Sequence, residues 1–304
     1  MPQLADSRPA PIAMGDRRRG RRFTTEFWML LPSMAVLAII SIFPFLFLIY
    51  VSFMDYSLSI DEPTFAGFDN WLRVFGSETF WASWGRTAVF AIAGLAIQLA
   101  VGVAMALLLY YVPKGRNLLV TLWMLPLFVA PVISGLLWKF LLDSTYGLYH
   151  WLLTTFGLQL QILGDPATAM PAVIVMDMWE WTPLITIIVL AGLQTVPQDP
   201  LEAADVDGAT ELQKIRYILL PMVRRMIVVA LLIRSMDILR YVDVITISTE
   251  GGPADATKTI GYYLMQVAFK FQDLGTAAAL GLTMLAVTIA LGKFFVHIIG
   301  KGET

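Results

Sequence analysis

Six long apolar stretches, at 27–53, 87–111, 118–142, 170–193, 222–240 and 274–299, are separated by short polar segments and dominate the chain. Each is close to or above the ~20 residues a helix needs to cross a bilayer. They are continuous rather than alternating, which argues against a membrane β-barrel. The fifth is interrupted by Arg234, Asp237 and Arg240. The pattern predicts an all-α membrane protein with six transmembrane helices filling residues 23–304, preceded by a basic tail over residues 1–22. The tail carries six arginines and no apolar period, so it is expected to be disordered. A cleaved signal peptide fits less well, because the run after the tail exceeds the ~7–15 residues of a signal core and no small-x-small site ends it.

Composition sharpens this picture. Only 14% of residues are charged, against roughly 25% in soluble domains, and the net charge of −2 offers no stripe for nucleic acid. The chain has no cysteine, which excludes disulfides, thiolate metal sites and a cysteine nucleophile. With His150 and His297 far apart in sequence, no metal centre and no catalytic residues are expected. With the N-terminus inside, the inner segments hold fourteen Lys and Arg and the outer segments five. The positive-inside bias therefore puts both termini in the cytoplasm.

Small residues suggest how the spans meet. Gly94, Gln98, Gly102 and Ala106 recur every fourth residue in the second span, as do Gly275 with Ala279 and Ala277 with Gly281 in the sixth. Such stripes let helix backbones approach closely in lipid. The outer segments at about 55–86, 143–169 and 241–273 are rich in aromatics, including Trp71, Trp81, Trp84, Tyr149 and Trp151. Those residues suit interfacial belts or short helices lying on the outer surface.

The inner segment 199–221 carries the strongest signal. Asp199 is a candidate N-cap with Pro200 at the first helical position and Glu202 at the third. Gly208 is placed to end that helix in a left-handed turn. Thr210 with Gln213 forms a second capping box, and Pro221 marks an end or a kink into the fifth span. The segment thus reads as two short helices on the cytoplasmic surface.

Glu202-Ala203-Ala204, Gly208, Ile218, Leu220 and Pro221 fit E-A-A-x3-G-x9-I-x-L-P at every position. This resembles the EAA loop of permease subunits in binding-protein-dependent ATP-binding-cassette importers. The resemblance implies that Glu202, Ala203, Ala204, Asp207, Gly208, Ile218, Leu220 and Pro221 couple the chain to an ATPase. It also implies a second related permease, two ATPase subunits holding ATP and Mg, and an external binding protein, free or lipid-anchored. The setting would be a bacterial inner membrane. The chain has no GxxxxGK[ST] loop, so no cofactor is expected on it.

Phe65-Ala-Gly67-Phe-Asp-Asn70-Trp71, Trp179-Glu-Trp181-Thr-Pro183, Ala191-Gly-Leu-Gln194, Gly251-Gly-Pro253 and Tyr263-x4-Ala268-Phe269 resemble the maltose-transporter-like, carbohydrate-uptake branch of that family. Candidate pathway residues are Asp177, Trp179, Glu180 and Trp181 in the fourth span and Arg234, Asp237, Arg240 and Asp243 in and after the fifth. Indoles stack on sugar faces and carboxylates accept sugar hydroxyls. The charges in span five also read as a salt-bridge ladder at steps of three, and Glu180 as a partner of Lys139. Two other functions use the same residues: an ion-coupled secondary transporter with Asp177 and Glu180 as ion sites, and an importer permease for a non-sugar solute.

Overall fold

The computed structural model describes residues 25–58, 62–158 and 161–300; the basic tail lies outside them. The chain forms two units, residues 1–47 and 48–304. The described part of the first is helix α1 (Thr25–Ser52), which runs on into the second. The second unit opens with a two-stranded ribbon, β1 (Met54–Asp55) antiparallel to β2 (Thr64–Phe65). Helix α2 (Asp69–Gly76) follows. Its buried Asn70 donates to the carbonyls of Ser52 and Met54 at 2.9 and 2.8 Å, satisfying backbone groups that water cannot reach.

Helix α3 (Glu78–Tyr111) starts at Ser77, whose hydroxyl accepts from the Phe80 N–H. Its 34 residues span about 51 Å at ~1.5 Å per residue, more than the ~30 Å hydrocarbon core of a bilayer. Helix α4 (Arg116–Met124) runs into a 3-10 turn (Leu125–Phe128), and α5 (Pro131–Leu141) leaves it at 92°. The expected single span over 118–142 is therefore broken. Pro131 has no N–H to continue a helix and drives the residue before it into extended backbone; Ala130 sits at φ −62°, ψ 136°.

Short α6 (Leu148–Thr155) leads to α7 (Pro166–Leu193), capped by the Asp165 carboxylate on the Ala167 N–H at 2.9 Å. Helix α7 is the most buried of the membrane-length helices and packs chiefly on α3. The small-residue stripe makes this contact possible: a Cβ on Gly102 would lie 2.8 Å from Ile185 Cγ2.

Beyond α7 come α8 (Asp199–Val206), α9 (Glu211–Lys214), a π turn (Ile215–Leu219) and α10 (Leu220–Ile238). Next are α11 (Asp243–Ser248), α12 (Ile260–Met265) with a second π turn (Gln266–Lys270), and α13 (Leu274–Gly300). Helices α2, α6, α11 and α12 are short helices that fall within the aromatic segments 55–86, 143–169 and 241–273.

Among the described residues four helices are long and apolar enough to span, or five counting the bent pair. The predicted fifth span coincides with α10, which is long enough but carries Arg224, Arg225, Arg234 and Asp237. Two apolar clusters flank α7: Phe90, Val173, Met176, Ile238 and Ile245 in one, and Leu109, Ile185, Leu193, Leu219 and Val223 in the other.

Candidate functional site

The polar residues of the two regions fall into separate constellations, joined by α3 and α10. The first is buried. Arg234 on α10 and Asp177 on α7 are both fully inaccessible and form an ion pair. Gln98, in the middle of the α3 stripe, closes the triangle. Its amide N donates to Asp177 Oδ2 at 2.6 Å, and its amide O accepts from Arg234 Nε at 3.0 Å. Arg234 also donates to Asp237 at 3.0 Å and lies 4.9 Å from the centre of the Trp181 ring. A buried guanidinium is costly unless its donors are occupied, and here Nε, Nη1 and Nη2 each meet an acceptor.

The predicted ladder is thus real but shorter. Asp237 bridges Arg234 and, at 3.4 Å, Arg240. Asp243 does not join; α10 ends at Ile238, and Asp243 opens α11 as an exposed first-turn acid.

Glu180 is also buried, and it accepts from the Tyr241 hydroxyl at a long 3.5 Å. The suggested pairing with Lys139 is not formed, because Lys139 instead donates to the Ile247 carbonyl at 3.0 Å. Trp179 meets Trp138 edge-on at 5.9 Å, and Trp138 stacks on Tyr149 at 5.9 Å. The buried indole N–H groups of Trp138 and Trp181 have no acceptor. Asp177, Trp181, Arg234 and Asp237 are therefore brought together, Glu180 and Trp179 sit beside them, and Arg240 and Asp243 are peripheral.

The second constellation is the 199–221 segment. Helix α8 begins at Asp199, but Gln198 occupies the cap position, in helical backbone with no side-chain cap bond. The cap assigned to Asp199 and Glu202 is corrected accordingly: with Gln198 already helical, the turn needs no carboxylate to enter it, and Glu202 points to solvent. At the other end Gly208 adopts φ +74°. The Ala209 N–H bonds the Ala204 carbonyl and the Gly208 N–H the Asp205 carbonyl, the double closure of a Schellman turn. The Thr210–Gln213 capping box is present in both directions. Pro221 does not stop the helix. Its missing N–H and bulky ring are absorbed by the π turn, where the Leu220 N–H reaches back to the Ile215 carbonyl.

Lys214 is buried between Asp205 at 2.7 Å and Glu211 at 2.5 Å. These bonds to Asp205 and Glu211 raise its pKa well above the usual lysine value, and Lys214 in turn holds the Glu211 carboxyl below its usual range. A cleft of about 820 Å³ lies alongside, lined in part by Tyr111, Arg116, Gln198 and Leu201. The outward face carries large apolar side chains. Val206 is 88% exposed and Leu212 73%, and Tyr217 is exposed as well. Among the described residues no group of three or more acids and histidines could hold a metal.

This two-helix element, turned at Gly208 and bare at Val206 and Leu212, connects α7 to α10, and the sequence matches one family over residues 14–302. The chain belongs to the binding-protein-dependent transport system inner membrane components. Members of this family are multi-pass inner-membrane permeases, transport subunits with no catalytic role of their own. That membership sets aside the ion-coupled secondary transporter.

Among relatives, the trehalose/maltose transport system permease protein MalF of Thermococcus litoralis is 34% identical, the match covering 82% of this chain and 83% of that one. The sulfoquinovosyl glycerol transport system permease protein SmoG of Agrobacterium fabrum is 32% identical over 89% of each. In a bacterial alginate ABC transporter, crystallised with an alginate pentasaccharide-bound periplasmic protein, one chain superposes with a TM-score of 0.79 at 25% identity. That match covers 90% of this chain and 93% of the other.

Sequence reasoning missed Gln98 as a partner of the charges, Tyr241 opposite Glu180, and Lys214 with Asp205 and Glu211. The signal for Gln98 was visible: an amide at the centre of a Gly-x3-Gln-x3-Gly stripe has no apolar reason to be there.

Proposed function

We propose that this permease imports a sugar or sugar-like solute, driven by ATPase subunits that grip the 199–221 element. The observation carrying the coupling role is the outward face of α8 and α9, where Val206 and Leu212 are bare on a segment too polar to lie in lipid. Hydrophobic side chains exposed on an otherwise polar two-helix hairpin call for a protein cleft. The partners are a second permease, two ATPases carrying ATP and Mg, and a substrate-binding protein. The chain crosses a bacterial cytoplasmic membrane six times, with the bent α4–α5 pair and α10 as two of the crossings and both termini inside. ATP binding draws the ATPases together and moves α8 and α9, which tilt the bundle between inward-open and outward-open forms.

The cargo assignment rests on the relatives, whose names specify maltose, trehalose, a sulfosugar glycerol and alginate. Glu180 suits a sugar contact better than Asp177, because Asp177 already serves Arg234 and Gln98. Glu180 accepts from the Tyr241 hydroxyl at a long 3.5 Å, which leaves its carboxylate acceptor capacity for a solute hydroxyl. The test is to isolate the binding protein that co-purifies with the complex, find the solute that raises its melting temperature, and measure ATP-dependent uptake of that solute in proteoliposomes. A saccharide or saccharide derivative is expected; an amino acid or peptide would refute the cargo assignment.

A further inference from the structure

We propose that Asp205, Lys214, Glu211 and Tyr111 form a polar clasp that fastens the coupling helices to the inner end of α3, making α3 a direct receiver of the motor's movement. The inference rests on the coupling reading given above and adds a positioning role for Lys214.

Chain connectivity alone would send the push from α8 and α9 into α7 and α10, between which they lie. Helix α3 is not adjacent in sequence, and its attachment is made by side chains. Lysine is rarely buried, yet Lys214 is 7% exposed, with its ammonium held by Asp205 of α8 and Glu211 of α9. Tyr111, the last residue of α3, lines one cleft with Asp205, Glu211 and Lys214, and its hydroxyl helps to hold the Glu211 carboxyl low. On the apolar side Leu109 and Tyr110 of α3 belong to the same cluster as Leu201, Ile215 and Leu219. The two sides of the joint differ in kind. The apolar contact can slide, whereas the charge-assisted bonds fix register.

Helix α3 is tied a second time, between the long helices. Gln98 on α3 bonds Arg234 on α10, about 20 Å above Tyr111 by the helical rise of ~1.5 Å per residue. Helix α3 is thereby joined at two levels, to α8 and α9 by the clasp below and to α7 and α10 by the Gln98–Asp177–Arg234 triangle above. In such a frame, displacing α8 and α9 moves the buried triangle with them instead of being lost in a hinge.

The test uses the full chain, whose lack of cysteine allows clean labelling. Spin labels at Asp199→Cys and Leu108→Cys report the α8–α3 distance distribution, and the reconstituted transporter reports the ratio of binding-protein-stimulated to basal ATPase. Lys214→Met should broaden the distribution and lower the ratio by at least about fivefold, with the ATPase still co-purifying. Lys214→Arg should restore both, and Tyr111→Phe should lower the ratio part-way. A narrow distribution in Lys214→Met would overturn the clasp, and an unchanged ratio in that variant would overturn its role in coupling. If the unmutated complex bound no ATPase, the coupling reading itself would fail, while the distance measurement would still judge the clasp.

Discussion

Asp177 and Arg234, 57 positions apart and on different helices, form a fully buried ion pair that a single amide, Gln98, bonds on both sides. Charges that look like a lining for a polar pathway are in this conformation committed to one another. Removing one partner of such a pair leaves the other uncompensated, at a cost of about 3–5 kcal/mol, whereas replacing both with apolar residues can be nearly neutral. Arg234→Met alone should therefore lower unfolding stability by that order. Arg234→Met combined with Asp177→Leu should recover most of the loss. Denaturant titration of the purified permease in detergent, with the double-mutant comparison, checks this; additive losses would contradict the pairing.

The α3–α7 contact makes a second expectation. Gly102→Ala places a methyl carbon 2.8 Å from Ile185 Cγ2, and overpacking of this kind costs about 1–3 kcal/mol. Ile185→Ala in the same chain should relieve part of that cost. Melting temperatures of the single and double variants measure it.

The two helix starts of the coupling segment should respond differently. Thr210→Ala removes a hydroxyl that caps the Gln213 N–H and should destabilise the segment by about 1 kcal/mol. Asp199→Ala removes no cap bond and should be close to neutral. Limited proteolysis of the 199–221 segment in the free permease distinguishes them; equal sensitivity in the two variants would restore the cap role that Asp199 lacks here.

The difference between those two positions shows what sequence could and could not supply. The Thr210 box, the Gly208 turn and the α3 stripe were legible because each is a local rule of backbone chemistry. Asp199 followed the same rule and failed, because Gln198 is already helical and leaves the carboxylate no turn to cap. The break at Ala130–Pro131 was readable in principle from the proline, but the apolar run masked it. Least legible were the buried partners. Gln98, Lys214 and Tyr241 acquire their roles only through residues brought close by the fold, and no spacing rule connects Gln98 with a residue 136 positions away.

Acid should loosen the joint below the membrane. The folded pKa of Glu211 is lowered, first by Lys214 and then by Tyr111. Its contribution is therefore fully present above the ordinary value of 4.5 and is lost as pH falls through the lower folded value. Lys214 has the opposite sign: its raised pKa keeps its contribution complete below 10.5. The α8–α3 distance distribution should stay unchanged between pH 5 and 9, a range chosen to lie inside those two ordinary values, and broaden only under stronger acid or base. Broadening near neutrality would contradict the ion-pair account.

The most direct test of the central claim, that the 199–221 element couples this permease to an ATPase, is a change at Gly208. This residue holds φ at +74°, whereas proline fixes φ near −65°, so Gly208→Pro must undo the turn that sets α8 against α9. The measurement is the ATPase rate of the reconstituted transporter with and without its solute-loaded binding protein, alongside uptake. The expected result is an assembled complex that retains basal hydrolysis but neither responds to the binding protein nor accumulates solute. Stimulated hydrolysis and uptake at unmutated levels in Gly208→Pro would contradict the account.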